Sequence, residues 1–148
     1  MRLASKFRKL GGLVVYVRVD MQNMLKLPVD VAPPTALPSA EMSDLMPQAG
    51  FEGGDLLITK RHWGAFAGTN LEQELRQRGV ETVVLLGISS NIGVESTARQ
   101  GTGLGFAFVL VEDACGATEE AAHRYAFQKI FPRLGRVRQT SEVLAALQ

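Results

Sequence analysis

The sequence predicts an α/β fold with a mostly parallel sheet covered on both faces, and two observations predict it. Short runs rich in β-branched and aromatic residues recur along the chain: Leu13–Val19 (LVVYVRV), Thr82–Leu86 (TVVLL) and Phe106–Val111 (FAFVLV). They are largely continuous apolar runs, as strands covered on both faces are. The segments between the later runs carry helical spacing and helix-end signals, so strands alternate with helices.

Each element has its own local reason. Leu3, Phe7 and Leu10 fall on one helical face, and Gly11 and Gly12 end that short helix. Leu13–Val19 follows as a strand. Residues 20–54 differ in kind, holding Pro28, Pro33, Pro34, Pro38 and Pro47 with several methionines. A connection of this length in a compact domain is a functional or mobile loop, with room for a short helix near Ala40–Met46. Asp55–Ile58 (DLLI) is a short strand, followed by Thr59 and Lys60. Thr69 begins a helix with capping-box spacing to Glu72, and Gly79 stands where its C-terminal cap belongs. After the strand Thr82–Leu86, a helix over Ile92–Leu104 is weakened toward its end by Gly101 and Gly103. A helix over Thr118–Ile130 is closed by Pro132. Val137 lies in a last short strand, and Thr140 is the N-cap of a terminal helix reaching Leu147.

The 148 residues suffice for one domain with a core, and the whole chain, 1–148, reads as one. A net charge of +1 gives no reason to expect a nucleic-acid partner. No apolar run approaches the length of a membrane span, and the basic start MRLASKFRKLGG lacks the apolar core of a targeting peptide. A single cysteine, Cys115, allows no intrachain disulfide and suits a reducing cytosol. No metal is expected, because two distant histidines without acidic or cysteine neighbours at ligand spacing form no ligand set. No cofactor is expected either. Gly101–Gly105 has the look of a nucleotide loop but lies at a helix end, and such loops link a strand to a helix start.

Ligand sites in such sheets lie at the C-terminal strand ends. Three loops gather there: Asp20 onward, Thr59–Gly68 and Gly87–Gly93. The last reads GISSNIG and feeds a helix, where unpaired amides can hold an anion or an oxyanion. Lys60 can steady a carboxylate or a deprotonated nucleophile, or it is a solvated loop lysine. Trp63 and Phe66 either line an apolar pocket or pack their loop onto the sheet edge. Ser89 and Ser90 lack an evident base: His62 is nearer, His123 reads as a surface or packing residue, and no Gly-x-Ser-x-Gly elbow is present. Cys115, after the strand in EDAC, reads as a small buried thiol.

Taken together, LLITKRHWGAF-GTNLEQELRQRGVETVVLLGISSNIGVESTAR, with the later GF and VEDA, resembles the isochorismatase-like cysteine hydrolase superfamily. The similarity runs from about Asp55 to Leu147 and more weakly over Phe7–Val19. It implies a Rossmann-like three-layer α/β/α fold and hydrolysis of amides, or of the vinyl ether of isochorismate, by an Asp–Lys–Cys triad. Lys60 matches the family lysine. The family cysteine falls at Gly93, so the nucleophile is replaced by a residue with no side chain. The resemblance also implies a cis peptide at Ile88–Ser89, contributing to an oxyanion hole, and a small-molecule site with Trp63, Phe66, Ile88, Ser89, Ser90 and Asn91 around it.

The family aspartate ends the first strand in an Asp-Met-Gln context, which Asp20-Met21-Gln22 reproduces. Residues 20–54, however, leave no room for a helix and a second strand before Asp55. Leu13–Val19 therefore aligns with the family's second strand, and the first strand and its aspartate are expected to be missing. Since the first strand is central in the family, two apolar edges would be left unpaired, with three outcomes open: the strands close up, another chain fills the gap, or the sequence is a fragment of a longer product. The expected protein is a pseudoenzyme without the standard cysteine-hydrolase activity, with a binding or assembly role or an unknown reaction, cytoplasmic and homo-oligomeric. The alternative is an active hydrolase of small amides using Ser89 or Ser90, assisted by Lys60 and Asp20.

Overall fold

The computed structural model describes residues 2–31, 36 and 38–147. Pro33 and Pro34 of the predicted loop lie outside the described residues. Helix α1 (Arg2–Lys9) leads through Gly11 and Gly12 into β1 (Val15–Val19). Two short 3-10 turns, Ala40–Ser43 and Pro47–Ala49, are the regular structure described between β1 and β2 (Leu56–Lys60). Then come α2 (Leu71–Gln77), β3 (Thr82–Ile88), a wide π turn at Ser90–Val94 and α3 (Glu95–Gly103). The chain continues with β4 (Ala107–Gly116), α4 (Glu120–Tyr125), α5 (Phe131–Leu134), β5 (Arg136–Arg138) and α6 (Thr140–Ala146).

Every strand pair is parallel, and the α/β/α layering is as expected. One core cluster, including Ile58, Leu75, Ala98, Phe108, Leu110 and Phe131, lies where α2, α3 and α5 cover the strands. A smaller one, Leu3, Val111 and Val143, lies under α1 and α6 on the other face. Arg8 of α1 ties this frame to the start of β2, donating to Asp55 from Nε at 2.9 Å and Nη2 at 2.5 Å.

The sheet is in two pieces. β1 pairs with β2, from Val15 opposite Leu56 to Val19 opposite Lys60. Separately, β3 pairs with β4 and β4 with β5. β1 and β3 make no ladder with each other, so the two edges have not closed up. Between them lies a cavity of about 810 Å³, with Val15, Val17 and Val19 on one wall, Val83–Leu86 on the other, and Leu3 and Phe7 of α1 among its lining. No residue of β1 or β3 is fully buried, although both strands are mostly apolar, whereas Leu110 and Val111 of β4 are completely buried.

Several local expectations need correction. Thr69 does not form a capping box with Glu72: α2 starts later, and the Thr69 hydroxyl accepts from the Leu71 amide and donates to Ala65 O. The terminal box is made by Gln139 and Glu142, with Gln139 and not Thr140 at the N-cap. Pro132 does not close the fourth helix. Its missing N–H is harmless at a helix start, so it sits in the first turn of α5 after a π turn at Ala126–Ile130. Lys60 belongs to β2 itself. Likewise β4 runs five residues beyond Val111, so Cys115 is inside it, opposite Gly87. Gly101 has a packing reason: a Cβ there would lie 2.4 Å from Phe108 Cζ and 2.8 Å from Phe66 Cε2.

Candidate functional site

The end of β2 and the turn that follows β3 bring Lys60 and Gly93 together. Lys60 closes β2 and is only 7% exposed. Its ammonium donates to the backbone oxygen of Trp63, and it forms no salt bridge among the described residues. Burial without a carboxylate partner holds the Lys60 amine below its usual pKa. A Cβ on Gly93 would lie 3.2 Å from Lys60 Nζ and 3.6 Å from both Ile88 O and Trp63 O. A short side chain at this position would thus point at a buried amine, between two carbonyls. Lys60, Gly93 and Val94 also line the end of the inter-sheet cavity.

The turn joining β3 to the helical segment has a cis peptide bond at Ile88–Ser89. The amides of Ile92 and Val94 both donate to Ser89 O, at 3.1 Å each. Ser89 Oγ donates to Asn91 Oδ1 at 3.0 Å, a contact confined to the loop. The Ile88 side chain is 87% exposed.

Ser90 is different. It is completely buried, with Oγ 2.9 Å from Gly116 O and 2.7 Å from His123 Nδ1. A hydroxyl has one hydrogen. Donating it to Gly116 O leaves Oγ as acceptor, so His123 carries its proton on Nδ1 and donates. His123 also packs against Phe127, their ring centroids 4.7 Å apart. Sequence reasoning missed this partnership because 33 residues separate the two and nothing in the α4 pattern marks His123.

The other predicted residues separate. Phe66 is buried in the core and stacks on Phe106, centroids 5.7 Å apart, while its edge reaches the cavity wall. The Trp63 ring is largely exposed and contributes only its backbone oxygen to Lys60. Asp20 follows β1, its amide donating to Lys60 O at 2.8 Å. Its carboxylate accepts from Asn23 at 3.1 Å and from Arg61 at 3.2 Å, and the Asn23 bonds chiefly hold its pKa down. Burial pushes the Cys115 thiol up to about 11, the opposite of an activated nucleophile. Among the described residues there is no group of three or more His, Cys, Asp or Glu placed to hold a metal ion. None of the described helices is long and apolar enough to cross a membrane.

The chain as a whole is similar to known proteins. The family model described as "Isochorismatase domain" matches residues 1–142. The chain is 46% identical over 150 aligned positions to the uncharacterized isochorismatase family protein YecD of Escherichia coli O157:H7, covering 99% of this chain and 80% of that one. It is 41% identical to the corresponding protein YwoC of Bacillus subtilis, covering 97% and 78%. The solved structure of an isochorismatase family protein from Burkholderia thailandensis superposes with a TM-score of 0.93 at 39% identity, covering 99% of this chain and 79% of that one.

Proposed function

The chain belongs to the isochorismatase family, and from that premise we propose that it has lost the family's cysteine-hydrolase chemistry and acts through binding or assembly. The supporting observation is the pairing of Gly93 with Lys60. The amine sits 3.2 Å from where a Cβ would stand, but no thiol is attached there to attack a carbonyl. Cys115, in β4, is too weakly acidic to substitute. Asp20, the remaining acid by sequence context, is bonded to Asn23 and Arg61. In catalytic units whose members act together, loss of one commonly costs several orders of magnitude in rate. The surviving Lys60 ammonium supports retention of a small anionic or carbonyl-bearing ligand beside the Ile88–Asn91 turn.

The Ser90–His123 hydrogen bond favours a second reading, hydrolysis through a serine. Against it stand the complete burial of Ser90 and a hydroxyl already donating to Gly116 O. One experiment separates the two: turnover of a panel of small amides and esters, with and without a serine-directed phosphonate. No turnover above the rate in buffer supports the first reading. Turnover abolished by the phosphonate and by Ser90→Ala, with the fold intact, overturns it.

A further inference from the structure

We infer that Thr97 is a positioning residue of this site: its hydroxyl ties the loop that holds the Lys60 amine to the turn that carries Gly93, and so sets the spacing between them. The inference rests on the reading of Lys60 and the turn as a ligand site, and it names the side chain that keeps that site assembled.

Burial points here first. Among the described residues, the buried ones with polar or charged side chains are Lys60, Ser90 and Thr97. All three converge on the turn after β3: Ser90 lies in it, Thr97 bonds to Gly93 O, and the Lys60 amine stands beside Gly93. Burying a polar group costs free energy unless it is hydrogen-bonded, so an otherwise apolar core carries that cost at one place. Ser90 ties the turn to the end of β4 and to α4, through Gly116 O and His123. Thr97 ties it to the loop after β2.

The Thr97 hydroxyl makes two bonds. It donates to Gly93 O at 2.7 Å and accepts from the Ala65 amide at 3.1 Å. One hydrogen and one lone pair satisfy both. A bond back to the carbonyl four residues earlier is a common habit of helical threonines. The bond to Ala65 has no such local origin, since 32 residues separate the two.

That second bond closes a ring. The Lys60 ammonium donates to Trp63 O, Ala65 follows Trp63 in the same loop, and Thr97 joins Ala65 to Gly93. A Cβ on Gly93 would in turn lie 3.2 Å from Lys60 Nζ. Gln100, further along α3, accepts from the Phe66 amide at 3.3 Å and steadies the same loop, but its bond does not reach the turn.

The test uses the full chain carrying Gly93→Cys as a ruler. The new thiol senses the amine by charge. Lengthening their separation from about 4 to about 6 Å, at an effective dielectric of about 20, raises the thiol pKa by about one unit. That pKa is read from the pH dependence of iodoacetamide labelling, mapped by mass spectrometry to position 93 so that Cys115 does not contribute. Thr97→Val keeps the side-chain shape and removes the hydroxyl. In protein that circular dichroism shows to be folded, it should raise the thiol pKa by about one unit, about a tenfold loss of thiolate at neutral pH. Thr97→Ser restores the hydroxyl and should return the pKa to that of the Gly93→Cys protein. Lower stability of Thr97→Val with an unchanged thiol pKa makes Thr97 merely structural and overturns the proposal. So does a thiol shifted as far by Thr97→Ser as by Thr97→Val, or one indifferent to Lys60→Met. Should Thr97→Val not fold, Thr97→Ala makes the same comparison. Should neither fold, amide exchange in the native protein decides: Ala65 should exchange at least about tenfold more slowly than an unstructured amide, and exchange at the unstructured rate overturns the proposal. Labelling reads spacing and not turnover, so hydrolysis of an amide or ester by the native protein would overturn the functional reading and leave this one standing.

Discussion

Substituting Gly93→Cys places a thiol in the turn after β3, beside Lys60. The added Cβ meets only one close atom, Lys60 Nζ at 3.2 Å, the mobile end of a flexible side chain, so the fold should tolerate it. The thiol's acidity is then a contest between two terms. Burial raises a thiol pKa, as it does for Cys115, to about 11. An ammonium about 4 Å away favours the thiolate by about 4 kcal/mol at an effective dielectric of about 20. That corresponds to a lowering of about 3 pH units, more than burial raises the Cys115 thiol, so the Gly93→Cys thiol should fall below the ordinary cysteine value. Alkylation by iodoacetamide at neutral pH should therefore run somewhat faster than for free cysteine.

Lys60→Met in the same background removes the favourable term, and the thiolate fraction should fall by about a thousandfold. A more basic thiolate is a better nucleophile, which returns about a factor of 20, so the net alkylation rate should drop about 50-fold. The assay is mass-spectrometric labelling of the Gly93→Cys protein with and without Lys60→Met, monitored for fold by circular dichroism. A change below about threefold would refute the electrostatic coupling. Amide turnover is expected to stay absent, because hydrolysis also needs a group to take and return a proton. Robust turnover of the single variant, lost on Asp20→Asn, would identify Asp20 as that group and show that β1 is misaligned with the family's second strand.

Three further outcomes follow from local geometry. The Lys60 pKa is lowered by burial, so the unfolded chain binds more protons between the folded value and 10.5, and stability should rise with pH across that window. Urea midpoints should show that rise in the native protein and its absence in Lys60→Met; parallel curves would refute it. Ser90→Ala should lower stability by about 1–3 kcal/mol, by leaving Gly116 O and His123 Nδ1 without their buried partner. An unchanged denaturation midpoint would contradict the network. Gly101→Ala and Gly103→Ala should differ in sign. Both gain helix propensity of about 1 kcal/mol, but only the first drives a methyl into Phe108, a clash costing about 1–3 kcal/mol. Thermal melts with Gly101→Ala the more stable of the two would sink the packing argument.

Much of the frame was legible because its signals are local. Continuous β-branched runs gave the strands, and Gly79 marked the end of α2 through the left-handed backbone, φ +65°, that a side chain resists. The boundaries failed where tertiary partners outweighed local pattern. Lys60 reads as a loop residue until Val19 pairs with it. Cys115 reads as following its strand because Glu112 and Asp113 break the apolar run, yet β4 continues to Gly116 as Cys115 and Gly116 pair with Gly87 and Ile88 of β3. The Ser90–His123 contact left no trace in either residue's neighbourhood, since it is made by packing α4 against the turn.

Gly93 and the gap between the half-sheets differ in the same way. The proposed loss of the nucleophile rests on one position, Gly93, read against the motif around it. The gap was visible only as an argument about chain length and strand order, with its closure equally available to a sequence reading. Joining β1 directly to β3 would draw together two half-sheets already held by their own covers: β1 and β2 by the Arg8–Asp55 contacts and Ile58's burial in the large core, β3 and β4 by Phe108, Leu110 and Phe131. Close packing makes such cores resist displacement by a full strand spacing. Each half-sheet is thus held by its own covering layers, and Lys60 and Gly93 lie near each other at one end of the gap.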